Sequence, residues 1–258
     1  MAAWPRGRLN FFAILMVLGA TSASSQTTPP LPAGVREVLK YAIEWRLIPA
    51  GAAKLTFTTL PRPATAASEV RLHIESAGLV SRLFRVEDDY TSLLGQNYCA
   101  QSSFLAAHEG NRNKETRVLY DGQNRRATWL EKDFVKSATN TQSVEIPACV
   151  HDVLGGLLAL RNLRLDTGKT VRLPLSDGKK FVQAKVESQR REDIKTELGT
   201  FHTIRYEVFL FDNVLYKRSG HLHIWLTDDD RRLPVQLQVR LQFTIGTITF
   251  RLIQEEKS

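Results

Sequence analysis

The sequence predicts a mainly β protein: a strongly curved antiparallel sheet, half-barrel or barrel-like, packed around one main helix. Three observations carry that expectation. Apolar and polar residues alternate along most of the chain, most cleanly between Leu39 and Phe57 and between Leu222 and Phe243. One long segment alone switches to helical spacing. Each strand offers a single apolar face, and a sheet that is apolar on one side only must curl, close or be covered. A closed barrel and a two-sheet sandwich meet the same constraint. The chain has 258 residues and 43% hydrophobic content. That is enough apolar material for a sizeable core.

Residues 1–25 read as a signal peptide. Arg6 and Arg8 precede the apolar run Phe11 to Ala20, and small residues follow in "TSASSQ". Cleavage after Ala23 or Ser25 fits this pattern, and an uncleaved anchor is the alternative. No cysteine lies there to take a lipid. No later stretch reaches 18 uninterrupted apolar residues, so the mature chain is expected to have no transmembrane segment. Loss of the signal lowers the net charge from +8 to about +6. The remaining basic residues are interspersed with acids, as in "RREDIKTE", which reads as an evenly solvated surface. An exported chain does not meet nucleic acid, so none is expected as a partner. The localisation that follows is the periplasm or the outer envelope. The partners to look for are lipid or another envelope protein.

Residues 26–36 form a Pro-rich linker, and 37–258 a single β-rich domain. "EVLKYAIEWRLI" places Leu39, Tyr41, Ile43, Trp45 and Leu47 on one face. "PAG" (Pro49 to Gly51) supplies turn chemistry, and Ala53, Leu55 and Phe57 continue a hairpin. "EVRLHIES" is a third strand. The pattern recurs in "NKETRVLYD", "RRATWLEKD", "KTVRLPLSDGKKFVQAKVES" and "FHTIRYEVFLFD". Asp121–Gly122 and Asp177–Gly178 are tight-turn signals, because glycine permits positive φ. Leu222, Ile224 and Leu226 share a face, as do Leu233 through Phe243 at odd positions, followed by Gly246, Ile248, Phe250 and Leu252. About a dozen strands result. In "CVHDVLGGLLALRNL", Val150, Val153, Leu154, Leu157, Leu158 and Arg161 follow i, i+3, i+4, i+7 spacing, with Asp152 at the N-terminal end. Gly155–Gly156 weakens that helix unless it packs closely on a strand. A shorter helix is expected in "GLVSRLF" (Gly78 to Phe84).

The stretch "WLTDDDRRLPVQLQ" concentrates charge. Asp228, Asp229 and Asp230, followed by Arg231 and Arg232, fall where a hairpin connection belongs. Aspartate carboxylates bond nearby backbone N–H groups in turns, so a turn is expected. The spacing of a calcium loop is absent. His221, His223 and Trp225 share one strand face, which faces solvent if Leu222, Ile224 and Leu226 face the core. No third ligand accompanies the two histidines, so no metal site is assigned. No nucleophile, zinc or phosphate-loop motif occurs, and neither catalytic residues nor cofactors are expected. Cys99 and Cys149 can bridge in an oxidising compartment, closing a loop of about 50 residues worth roughly 4 kcal/mol; two separate buried thiols are the alternative.

"LKYAIEWRLIPAGAAKLTF", "HDVLGGLLALR", "DGKKF", "ELGTFHTIRYEV" and "HIWLTDDDRRLPVQL" occur in this order between Leu39 and Leu252. In that order they resemble the exported bacterial family called domain of unknown function 3108. The resemblance implies an envelope protein rich in antiparallel β structure. It brings no activity, cofactor or site residue. The expected function is a non-enzymatic binding or scaffold protein for an apolar or amphiphilic ligand, or for a partner segment. Tyr41, Trp45 and Arg161 are the candidate lining residues. The alternatives are an envelope hydrolase acting on glycan or peptidoglycan and a β-edge interaction protein.

Overall fold

The computed structural model describes residues 34–61, 66–241 and 246–258, and these form one 14-stranded antiparallel sheet with one main helix. The signal segment, most of the linker and Phe243 lie outside the described residues. The strands are β1 (Arg36–Trp45), β2 (Ile48–Thr59), β3 (Ser68–Ser76), β4 (Val86–Leu94), β5 (Ala100–Glu109), β6 (Arg112–Asp121), β7 (Arg126–Asp133) and β8 (Ala138–Glu145), then β9 (Thr170–Ser176), β10 (Phe181–Thr196), β11 (Gly199–Val208), β12 (Gly220–Thr227), β13 (Pro234–Leu241) and β14 (Gly246–Lys257). The helices are α1 (Gly78–Leu83) and α2 (Val153–Asn162).

The sheet order is β8-β7-β6-β5-β4-β3-β2-β1-β14-β13-β12-β11-β10-β9. Chain order is therefore kept around the sheet, with β1 and β14 paired in its middle. The break falls between β8 and β9, which are the two edges. The connection between them carries α2.

The first hairpin differs from the sequence expectation. Its turn is Arg46–Leu47, both at positive φ (50° and 71°), and Trp45 pairs with Ile48. Leu47 is therefore not on the core face with Leu39, Tyr41 and Ile43; it is 86% exposed. Pro49 and Gly51 lie inside β2, where the register shifts between Ile43 and Glu44. Gly51 is needed for close approach, since a Cβ there would lie 2.0 Å from the Glu75 carbonyl oxygen. Gly122 teaches the same lesson: its added Cβ would lie 2.1 Å from the Ala148 carbonyl oxygen, and the positive φ of that turn is carried by Arg125.

α2 forms where the helical spacing placed it. The Asp152 side chain caps it, accepting from the Gly155 amide at 2.7 Å. Leu154, Leu157, Leu158 and Leu160 are buried, each worth about 1.5–3 kcal/mol on burial. The diglycine has the expected steric cause. A Cβ on Gly155 would meet the Tyr98 carbonyl oxygen at 2.8 Å, and one on Gly156 the Leu175 side chain at 2.7 Å. The core joins α2 to residues of strands from both halves of the sheet, among them Leu39, Val70, Trp129, Val186, Tyr206 and Leu252.

Candidate functional site

The three side chains expected to line a cavity do not come together as one. Tyr41 is 2% exposed, and its hydroxyl donates to the Pro234 carbonyl at 2.8 Å. Burial pushes that hydroxyl far above the ordinary tyrosine range. Arg161, at the end of α2, makes a bidentate pair with Glu37 of β1 (2.6 and 3.1 Å) and also donates to the carbonyls of Arg231 and Arg232. Trp45 sits at the other end of β1, beneath the Arg46 guanidinium. Tyr41 and Arg161 are thus fastenings between α2, β1 and the turn before β13.

The stretch Asp228 to Arg232 is that turn. Asp229 accepts from the Thr227 hydroxyl and from the amides of Arg231 and Arg232 (3.1 Å each). Asp228 pairs with Arg191 at 2.6 Å, Asp230 with Arg164, and Arg231 with Glu255. Arg232 is buried at φ 44°, its guanidinium 5.4 Å from the Tyr206 ring centroid and bonded to the Tyr206 hydroxyl at 2.7 Å. Cys99 and Cys149 are bonded, and they fix the segment before α2 to the β4–β5 connection.

His221 and His223 both face Glu207, at 2.8 and 3.7 Å. His221 is exposed, but His223 is half-buried, and Trp225 beside it is 5% exposed with its Nε1 bonded to Glu192. Outward-facing side chains on this part of the sheet cover one another. Among the described residues no group of three or more metal-ligating side chains occurs. Asp152 is a different case: it is 1% exposed and accepts from the Tyr90 hydroxyl at 2.9 Å. Burial raises its carboxyl above the usual carboxylate range.

The surface left unused is an edge. Among the described residues β8 pairs with β7 alone, and its residues Thr139 to Ser143 are exposed. No charged residue occurs in it before Glu145. Half of the backbone N–H and C=O groups of an edge strand point away from its neighbour and can template another strand. The opposite edge, β9, is defended. It contains Pro174 and Arg172, and the chain at His151 runs beside it as a parallel bridge, with His151 N donating to Pro174 O and Ser176 N to His151 O, 2.9 Å each. From β8 a side-chain bond reaches the turn after β9, Gln142 Nε2 to the Lys179 carbonyl at 3.1 Å. Beside β8, on the outer face of β4 to β7, is a concavity of about 500 Å³ lined by Leu93, Phe104, Arg117, Leu119 and Leu130 among others. A second, of about 440 Å³, is lined by Arg85, Glu87, His108, Asn111 and Arg112 among others. Sequence reasoning missed β8, because "ATNTQSVE" has almost no apolar residue to alternate; its signal was the run of threonine, asparagine and glutamine without glycine or proline.

No curated protein matches the chain in sequence. In fold it is similar to a beta-barrel-like protein of a domain of unknown function, DUF1849, from Brucella abortus. The identity is 9%, the TM-score 0.56, and the match covers 88% of this chain and 99% of that one. A DUF1089 family protein from Pseudomonas aeruginosa aligns at 11% identity over 89% of this chain and 95% of that one, but at a TM-score of 0.29. The family model described as protein of unknown function, DUF3108, matches residues 40–253, and the chain belongs to that family.

Proposed function

We propose that this protein is an exported, non-enzymatic binding or scaffold protein of the bacterial envelope, and that an extended partner segment adds to its sheet along β8. The observation that carries the reading is the uncharged, exposed edge at β8 beside a defended edge at β9. In strand addition, main-chain bonds give affinity and alternate side chains give selectivity. Outward side chains of the partner would lie beside Thr139, Thr141 and Ser143; those of the other face would lie beside Asn140 and Gln142. The partner is therefore a segment of low charge.

The sheet is strongly curved around α2 in this reading. Strands spaced about 4.8 Å apart put the edges of a flat 14-stranded sheet about 60 Å from each other. The Gln142–Lys179 bond, the Tyr120 bond to Ser176 and the packing of Trp129 under Lys179 all join opposite ends of the strand order, which supports a sheet bent nearly into a ring. The leader-like residues before Gln26 support export.

Photo-crosslinking tests the edge. A benzophenone amino acid at Thr141 should give one discrete adduct in the envelope of the native host. The same group at Arg172 on β9 should give none, and Thr139→Lys with Ser143→Lys should abolish the Thr141 adduct. Equal labelling at both edges, or an adduct indifferent to the lysines, contradicts the reading. A second reading, an amphiphile held on the outer face, draws on the concavity at Leu93, Phe104, Leu119 and Leu130, where Arg117 lies 5.0 Å from the Phe104 ring centroid. Native mass spectrometry of protein purified from its own envelope would detect such a ligand, and Leu119→Asp should remove it. The hydrolase alternative needs two carboxylates facing one cleft. It gains no support from Asp228, Asp229 and Asp230, which are held by arginines or by turn amides.

A further inference from the structure

The connections at the two ends of the strands differ in kind. Register places six described ones at one end: the Arg46–Leu47 turn, residues 77–85 with α1, residues 110–111, residues 134–137, residues 177–180 and residues 209–219. Nine of the twelve exposed large apolar side chains among the described residues lie in or next to these connections, including Leu47, Leu79, Leu83, Phe84, Phe134 and Val135. α1 buries none of its residues. The same six segments carry eight basic residues, Arg46, Arg82, Arg85, Lys136, Lys179, Lys180, Lys217 and Arg218, against two acids, Asp177 and Asp212. Arg85 pairs with Glu87, Arg112 at the start of β6 pairs with Glu109, and Arg46 and Lys179 lie over the Trp45 and Trp129 rings.

The opposite end is unlike this. Its described connections 95–99, 122–125, 197–198 and 228–233 hold three basic residues and four acids, and Leu198 is their one exposed large apolar side chain among the described residues.

Leu47 sharpens the contrast. It occupies a hairpin position with φ 71°, where asparagine or glycine is favoured and leucine is disfavoured. An exposed leucine held there against backbone preference points to a use for its side chain. Between the start of β4 and the 110–111 turn, the concavity of about 440 Å³ is lined by Arg85, Glu87, His108, Asn111 and Arg112, whose arginines, paired with Glu87 and Glu109, still offer N–H groups to a phosphate.

We propose that this end of the sheet docks on an anionic lipid bilayer. The apolar tips enter the headgroup boundary, and the arginines and lysines around them meet lipid phosphates. Apolar burial and attraction to anionic headgroups act together in such binding, and each basic residue near the surface contributes on the order of fivefold in affinity. The strands would then stand on the membrane by their tips, leaving β8 accessible from the side.

Co-sedimentation of the full chain with vesicles tests this. Phosphatidylcholine vesicles containing about one-third phosphatidylglycerol should bind it more tightly than phosphatidylcholine alone, and added salt should weaken the difference. L47S/L83S/V135S should lose about tenfold in affinity, while L198S at the other end should lose nothing. The N-terminal residues are common to every chain compared, so a difference between chains does not arise from them. The three substituted side chains are exposed, so an unchanged melting temperature would show that folding is intact. Equal binding of the triple variant and the parent, equal loss in L198S, or no preference for anionic vesicles would overturn the proposal. The last result would leave the tips as a docking surface for protein.

Discussion

β8 and β9 end the same sheet, yet one is protected and the other is not. β9 is interrupted by Pro174, charged at Arg172 and covered from Pro174 to Ser176 by the chain at His151. Those are the usual means by which proteins prevent strands from pairing out of place. β8 has none of them before Glu145. The difference teaches that the guard on β9 is built from the connection that leaves β8. Residues 146–152 cross from one edge to the other, close the second and leave the first open. α2, Asp152 and the disulfide all hold that crossing segment.

Breaking the guard should therefore cost more than altering the open edge. Replacing Cys99 and Cys149 with serine removes a constraint on a loop of separation 50, and should lower unfolding free energy by about 4 kcal/mol in denaturant titration. It should also expose β9 and raise aggregation. Asp152→Ala removes the α2 cap and the acceptor of the Tyr90 hydroxyl, at about 3 kcal/mol by the same measurement. Asp152→Asn keeps the cap and isolates the charge. A carboxyl whose folded pKa is raised stabilises fully below its unfolded value, near 3.8, and that contribution is lost as pH rises through the folded value. The wild type should therefore lose stability over that window, relative to the asparagine variant. Gly122→Ala should cost about 2 kcal/mol, because its Cβ meets the Ala148 carbonyl oxygen rather than a yielding side chain. T139K/S143K should change stability by less than about 0.5 kcal/mol while blocking strand addition at β8.

Much of the scaffold was readable from period alone. Leu39, Tyr41 and Ile43 are buried as their alternation required, and α2 lies where Leu154, Leu157 and Leu158 gave helical spacing. The DDD stretch is a turn whose central carboxylate binds its own amides, as short acidic runs between strands do. What stayed hidden has physical causes. Period-two reasoning carried Leu47 onto the core face, because two ordinary residues adopt the positive φ of a tight turn with no glycine to announce it. It could not see that Trp225, on an outward face, is covered by its neighbours. It passed over β8 altogether, because an edge strand exposed on both faces needs no apolar residue. The candidate site was thus in the one element whose composition carries no core signal.

Amide hydrogen exchange in the purified protein, resolved by residue with NMR, tests the central claim most directly. An open β8 should show alternation: amides bonded to β7 are protected, and every second amide from Ala138 to Glu145 exchanges close to the unstructured rate, while Ser176 on β9 is slow. Uniform protection along β8, or a fast Ser176, would mean that the two edges are alike and would contradict the account.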